Sequence, residues 1–213
     1  MSGQHDHSAA KRQQIIRGAE LVFTEWGYEG ASMSRIAAEA GVSKGTLYNY
    51  FDSKSILFAV FVEQMACETL NRIFSQIEDE ADPSRSLRTL ALRIVTMIIS
   101  PSSLVLYRIV VSEARKFPDL ATIFWQAGPH RAIELLTRWI EAQVGAGRLV
   151  VADPTFAAEQ FIALCQTRIA TQRRLQLVTD TTPEEVERVV AGAVALFLKG
   201  YGADPLAPEQ PKS

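Results

Sequence analysis

Residues 32–54 read Ser-Met-Ser-Arg-Ile-Ala-Ala-Glu-Ala-Gly-Val-Ser-Lys-Gly-Thr-Leu-Tyr-Asn-Tyr-Phe-Asp-Ser-Lys. Ser32 and Ser43 are good helix caps, each placed just before a short run with apolar residues at helical spacing. The runs Met33 to Ala40 and Lys44 to Tyr50 are separated only by Gly41-Val42-Ser43. Two short helices joined by a tight, glycine-containing turn make a helix-turn-helix. The spacing has a steric logic: Ala37 is small where the helices cross, and Gly41 can take the left-handed backbone the turn requires. Ile36, Val42, Leu47 and Phe51 fall on the inner face. Lys44, Gly45, Thr46, Tyr48 and Asn49 are left facing outward.

Upstream, Ile15, Ala19, Val22, Phe23 and Trp26 recur at helical spacing and stop at Gly27, which predicts the first helix. Downstream, a longer helix is expected from about Ser53 to Glu80, with Ile56, Phe58, Phe61, Val62, Met65 and Ile73 on more than one face. Prolines then punctuate the chain at 83, 101, 118, 129, 154 and 183, each followed by amphipathic sequence. Proline suits a first helical turn and breaks a helix interior, so six further helices are expected, about ten in total. No alternating strand pattern competes with them, and the fold class is all-α. The expected organisation is a helix-turn-helix domain over 1–54, with its first eight residues loose, then a larger helical domain over 55–203 and a loose tail over 204–213.

The composition excludes several classes. Of 213 residues, 47% are hydrophobic and 22% charged, which is a globular balance. The longest apolar run, Val189 to Leu198, is ten residues, half of what a membrane span needs. With no apolar stretch following a basic N-terminus, the expectation is a cytoplasmic protein with reduced cysteines at 67 and 165 and no membrane partner. His5 and His7 sit in a polar N-terminal stretch without thiolates or clustered carboxylates, so neither metal nor cofactor is expected. His130 is read as a structural histidine at a helix start. No nucleophile, base and orienting group cluster, and there is no phosphate loop, so an enzyme is not expected.

The net charge is −2, and over residues 1–60 three lysines and three arginines balance six carboxylates. A nucleic-acid ligand would therefore be held by placed groups and not by bulk charge. The outward face of residues 43–50 has the right groups. Lys44 can meet a guanine edge or a phosphate, and Thr46 and Asn49 can bond base edges. Gly45 clears space for close backbone approach, and the Tyr48 and Tyr50 hydroxyls suit phosphate oxygens. The helix opening at Ser53 can aim its N-terminal amides, with Lys54, at the same backbone.

From Gly27-Tyr28 through Ala40-Gly-Val-Ser-Lys-Gly-Thr-Leu-Tyr-Asn-Tyr-Phe51 to Ser53-Lys54, the chain resembles the tetracycline-repressor (TetR) family of bacterial transcription regulators. The resemblance implies that Ser32, Tyr48, Tyr50 and Lys54 anchor phosphates and that Lys44, Gly45 and Thr46 are groove contacts, with Ser43 counted among the DNA-binding residues. Glu113-Ala-Arg-Lys-Phe-Pro118, Gly147-Arg-Leu149 and Phe197-Leu-Lys-Gly-Tyr201 resemble one C-terminal subclass. That subclass often has His where this chain has Tyr50, and either side chain can reach a phosphate.

One short recognition helix reads too little DNA, so a homodimer on a palindromic operator is expected. Val186, Val190, Val194, Phe197 and Tyr201 line one stripe of the last helix and are the expected dimer contact, with the helix from Pro154 to about Leu177 beside it. Phe61, Met65, Met97, Tyr107, Phe124, Trp125, Phe161 and Cys165 are candidates to line an apolar effector pocket. Cys165, with Phe161 and Ile169 one turn away on either side, also reads as an ordinary core residue. By resemblance, an unidentified small effector would shift the two heads away from the roughly 34–36 Å spacing of successive major grooves. An architectural DNA-binding protein of the same fold without an effector is the alternative.

Overall fold

The computed structural model describes residues 2–75 and 82–203, with side chains from His7 onward. In chain order the helices are α1 (Ser2–Gly30), α2 (Met33–Glu39), α3 (Lys44–Tyr50), α4 (Lys54–Phe74), α5 (Pro83–Ile98), α6 (Pro101–Glu113) and α7 (Pro118–Trp125). A π-helical turn, Gln126–His130, leads to α8 (Arg131–Gly145), α9 (Pro154–Cys165), α10 (Ile169–Arg174) and α11 (Pro183–Tyr201). Among the described residues there is no strand, only an isolated bridge between Leu149 and Gly202. The all-α fold expected from periodicity is present.

Local chemistry starts most of these helices. Proline occupies the first turn of α5, α7, α9 and α11, where its missing N–H costs nothing. Asp82 and Asp153 accept from the amides of Ser84 and Phe156. Thr182 and Glu185 form a reciprocal capping box. Pro129 does not open a helix as expected; it lies inside the π-helical turn, and α8 begins two residues later. The helix expected from Pro154 to Leu177 is two helices, because Arg168 takes φ 52° between them. No glycine or proline marks that break. It turns Ile169 and Ala170, 2% and 1% exposed, into the core. At the N-terminus, where eight loose residues were expected, the backbone is helical from Ser2. The final residues expected in α4, 76–80, and the tail over 204–213 lie outside the described residues.

By internal contacts the chain divides into two compact units that are not contiguous in sequence: Met1–Thr69 with Pro101–Pro129, and Leu70–Ser100 with His130 onward. This division does not follow the linear split expected at residue 54. In the first unit Leu106, Ile109, Val110 and Leu120 of α6 and α7 join the core of α1–α4, formed by residues such as Ile15, Phe23, Ile36, Leu47 and Phe58. Phe23 meets Phe58 edge-on at 5.0 Å, and Tyr28 meets Phe58 at 5.2 Å and Phe117 at 4.9 Å. Such pairs each add about 0.5–1.5 kcal/mol beyond simple burial. In the second unit α5, α8, α9 and α11 share a core of Leu87, Leu90, Ile94, Ile140, Phe161, Val190 and Phe197. The bridge, with Val150 N donating to Tyr201 O at 2.8 Å, holds the end of α11 against the loop after α8.

Candidate nucleic-acid interface

The two caps act as their residue types require. Ser32 Oγ accepts from Arg35 N at 3.2 Å and opens α2. Ser43 Oγ accepts from Thr46 N at 3.0 Å, with the Thr46 hydroxyl 2.8 Å away, and opens α3. Between them Gly41 has φ 61°. Val42 N donates to Ala37 O at 2.9 Å and Gly41 N to Ala38 O at 3.1 Å, the crossed pair of a Schellman ending. A side chain at 41 would force an L-residue into the left-handed region, so the turn needs its glycine.

The pair is held from behind by α1. A Cβ on Gly18 would lie 2.8 Å from both the Cβ and the backbone nitrogen of Ala40, so only glycine lets α1 press on the end of α2. Gln14 Nε2 donates to Ala40 O at 2.6 Å and satisfies a helix-end carbonyl. Neither residue was singled out from the sequence. An isolated glycine inside a helical pattern is the signal that pointed to Gly18. Gln14 carried none.

Leu47 is fully buried and Phe51 is 2% exposed, which fixes the rotation of α3. Lys44, Gly45, Tyr48 and Asn49 are exposed, Thr46 and Tyr50 are half-buried, and Ser32 and Ser43 are exposed at the two caps. The residues expected to contact DNA on α2 and α3 are thus exposed or half-buried. The Lys44 ammonium stands 6.0 Å from the centre of the Tyr48 ring. Gly45 has no neighbour that forbids a side chain; the nearest atom to a Cβ there is Ser43 Oγ at 3.8 Å. Lys54 differs from the others: half-buried, its ammonium donates to the carbonyls of Tyr28 at 2.7 Å and Ala31 at 3.0 Å.

The expected dimer stripe is sunk in its own protomer. Val190, Val194 and Phe197 are 1%, 8% and 2% exposed, and Val186 and Tyr201 pack against the same core. Phe197 meets Phe161 edge-on at 5.1 Å, and the Tyr201 hydroxyl donates to Gln160. The face of α11 left to solvent carries Ala191, Gly192, Ala195 and Leu196. The helix is apolar around most of its girth, so sequence could not choose between the faces.

Six of the eight candidate pocket residues belong to two separate cores. Phe61, Met65 and Phe124 pack in the first unit, and Met97, Phe161 and Cys165 in the second. Tyr107 is half-buried and Trp125 exposed. Cys165 is a core thiol, its pKa pushed by burial from 9.0 to about 12. A cleft of about 410 Å³ between α9–α10 and α11, lined by Leu164, Arg168, Glu185, Arg188, Gly192 and Leu196 among others, contains none of the eight. Among the described residues no three His, Cys, Asp or Glu side chains converge as metal ligands, and no single helix is long and apolar enough to cross a membrane.

Two family profiles cover most of the chain. Residues 15–60 match "Bacterial regulatory proteins, tetR family", and residues 85–203 match "AefR-like transcriptional repressor, C-terminal domain". The chain belongs to the TetR family. Among solved structures, the flavonoid-responsive regulator FrrA superimposes with a TM-score of 0.80 at 35% identity, over 93% of this chain and 100% of FrrA. A TetR-family regulator from Mesorhizobium loti gives 0.84 at 26% identity, over 92% and 98%. Among curated relatives, the Mycobacterium tuberculosis transcriptional repressor Rv1474c is 42% identical over 53 residues, 25% of this chain and 28% of the relative. The fatty acid metabolism regulator of Bacillus subtilis is 38% identical over 78 residues, 36% and 40%. The matched stretch thus spans well under half of these curated TetR-type relatives.

Proposed function

We propose that this TetR-family chain is a dimeric transcriptional repressor that binds a palindromic operator through α3 and is released by a small, largely apolar effector. The observation that carries the DNA reading is Gly45. Glycine is a poor helix former, and nothing among the described residues requires it in the first turn of α3. The requirement then comes from outside, where backbone must approach a groove. Around it stand Lys44, Thr46, Tyr48 and Asn49, a set able to bond base edges and phosphate oxygens. Ser32, Ser43 and Tyr50 complete the backbone contacts at the edge of that face.

The partner is a second copy of the chain, because one seven-residue helix reads too few base pairs for useful specificity. The exposed small-residue face of α11, with Leu196 61% exposed, and Phe156 on α9, 53% exposed, are the surfaces available for it. The effector reading is supported by FrrA, which is described as flavonoid-responsive and is similar over 93% of this chain.

The test is a binding titration at physiological salt with a palindrome from the chain's own promoter region and a random duplex of equal length. A specificity of about a thousandfold or more is expected. Lys44→Ala should weaken the palindrome and reduce the slope of log K against log salt by about 1 per chain. Equal affinity for the two duplexes would refute operator reading.

A further inference from the structure

Helix α1 begins at Ser2, yet among its described side chains the first buried one is Ile15. Ile15, Ala19 and Val22, at i, i+4 and i+7, are 0%, 0% and 2% exposed and hold α1 in the core of the first unit. Carried back toward the N-terminus, the same stripe passes through Arg12, Lys11 and Ser8, three, four and seven residues before Ile15. Ser8 and Arg12 are exposed and Lys11 is half-buried. The stripe thus turns cationic where the core ends.

This turn of α1 is tied down. Lys11 Nζ donates to Gln14 Oε1 at 3.0 Å, and Gln14 Nε2 donates in turn to Ala40 O at the end of α2. Arg12 is placed against α3 instead: its guanidinium carbon lies 5.4 Å from the centre of the ring of Phe51, the C-cap of that helix. Phe51 is 2% exposed and its backbone N–H bonds Leu47 O, so the ring is a fixed platform at the end of α3. Among the described residues Arg12 makes no hydrogen bond and no ion pair, not even with Asp52, which follows Phe51. The ring fixes where the guanidinium stands, and its five N–H donors are open to an outside acceptor. Their planar fork matches a phosphate. Because residues 1–60 carry no net positive charge, a DNA backbone must be met by single placed cations, and Arg12 is one that the fold itself does not use.

We propose that Arg12 is a DNA-phosphate ligand outside the helix-turn-helix, seated on Phe51 so that it meets the duplex backbone at the end of α3 remote from Ser43. The proposal rests on α3 being the operator-reading helix and extends the contact surface of that site to α1.

The experiment titrates Arg12→Gln, which keeps the helix and removes the charge, and Arg12→Lys, which keeps the charge, with the palindrome and the random duplex over a range of salt. A phosphate ligand lowers the slope of log K against log salt by about 1 per chain in Arg12→Gln and weakens both duplexes by a similar factor, about tenfold, while Arg12→Lys keeps the wild-type slope. A palindrome weakened at unchanged slope means that Arg12 only seats Phe51 and the end of α3, and overturns the proposal. Unchanged affinity and slope overturn it too, as does a slope that falls as far in Arg12→Lys as in Arg12→Gln. Should Arg12→Gln not fold, Arg12→Met, which keeps the stem over the ring, takes its place with the same outcomes. Equal wild-type affinity for the two duplexes refutes operator reading alone, because the change of slope can still be read on either; a wild-type chain that binds neither duplex refutes both.

Discussion

Helix α3 buries Leu47 alone and turns Lys44, Gly45, Tyr48 and Asn49 to solvent, whereas α11 sinks Val190, Ala193, Val194 and Phe197 into the core of its own unit. Both carry apolar and small residues, and small residues differ in what surrounds them. On α3 Gly45 is exposed, and no described neighbour forbids a side chain there. At Gly18 of α1 the missing side chain leaves room for the backbone of Ala40. A side chain spent on the protomer's own core is no longer available to a partner, so burial decides which residues can be functional contacts.

The largest expected effect lies on α11. Phe197→Ala should remove about 3–5 kcal/mol from folding, as truncation of a buried aromatic does, while Leu196→Asp should leave the fold intact and shift the mass toward the monomer. Denaturant titration and light scattering distinguish the two. A Phe197→Ala chain that unfolds like wild type but has half its mass would restore that stripe as the interface and undo the contrast with α3.

The two glycines sharpen it next. Gly18→Ala places a methyl 2.8 Å from Ala40 and should destabilise the head by about 1–3 kcal/mol, the usual cost of overpacking. Gly45→Ala should leave the protein's stability unchanged or slightly raised and yet weaken operator binding. Thermal denaturation beside a DNA titration reads both. If Gly45→Ala binds the operator as well as wild type, the close backbone approach is absent.

The smallest effect is a thiol titration. Cys67 is exposed and Cys165 buried, so one thiol per chain should react with a colorimetric disulfide reagent at pH 8 in the native protein and two after denaturation. Burial raises the Cys165 pKa to about 12, so the stability linked to that thiol is complete below pH 9 and declines as pH rises toward 12. Two reactive thiols in the native chain would mean that the α9 core is looser than the packing of Phe161 on Phe197 describes.

Much of this was legible locally. Ser43, Gly41 and the alternation of Leu47 and Phe51 with Lys44 and Tyr48 place the turn and the exposed face within one short window, because capping and steric exclusion act over a few residues. Proline and cap residues start α5, α7, α9 and α11 for the same reason. The break at Arg168 was not legible, since it is set by the burial of Ile169 and Ala170 and not by any breaker residue. Lys54 was not legible either: its partners lie 26 and 23 residues away, and a lysine at a helix start reads equally as a phosphate ligand or an internal tie.

Sequence by itself therefore determined the all-helical class, the helix-turn-helix and the exposed face of α3, because each depends on periodicity, caps and turn stereochemistry within a few turns of chain. Only the tertiary structure decided that α6 and α7 complete the core of the first unit, that the Val190–Phe197 stripe is internal, and that Lys54 donates to the carbonyls of Tyr28 and Ala31. Those outcomes depend on residues brought together from far along the chain, as Glu29 and Glu113 are across 84 positions, and no local pattern encodes which apolar face or which cation will find its partner inside.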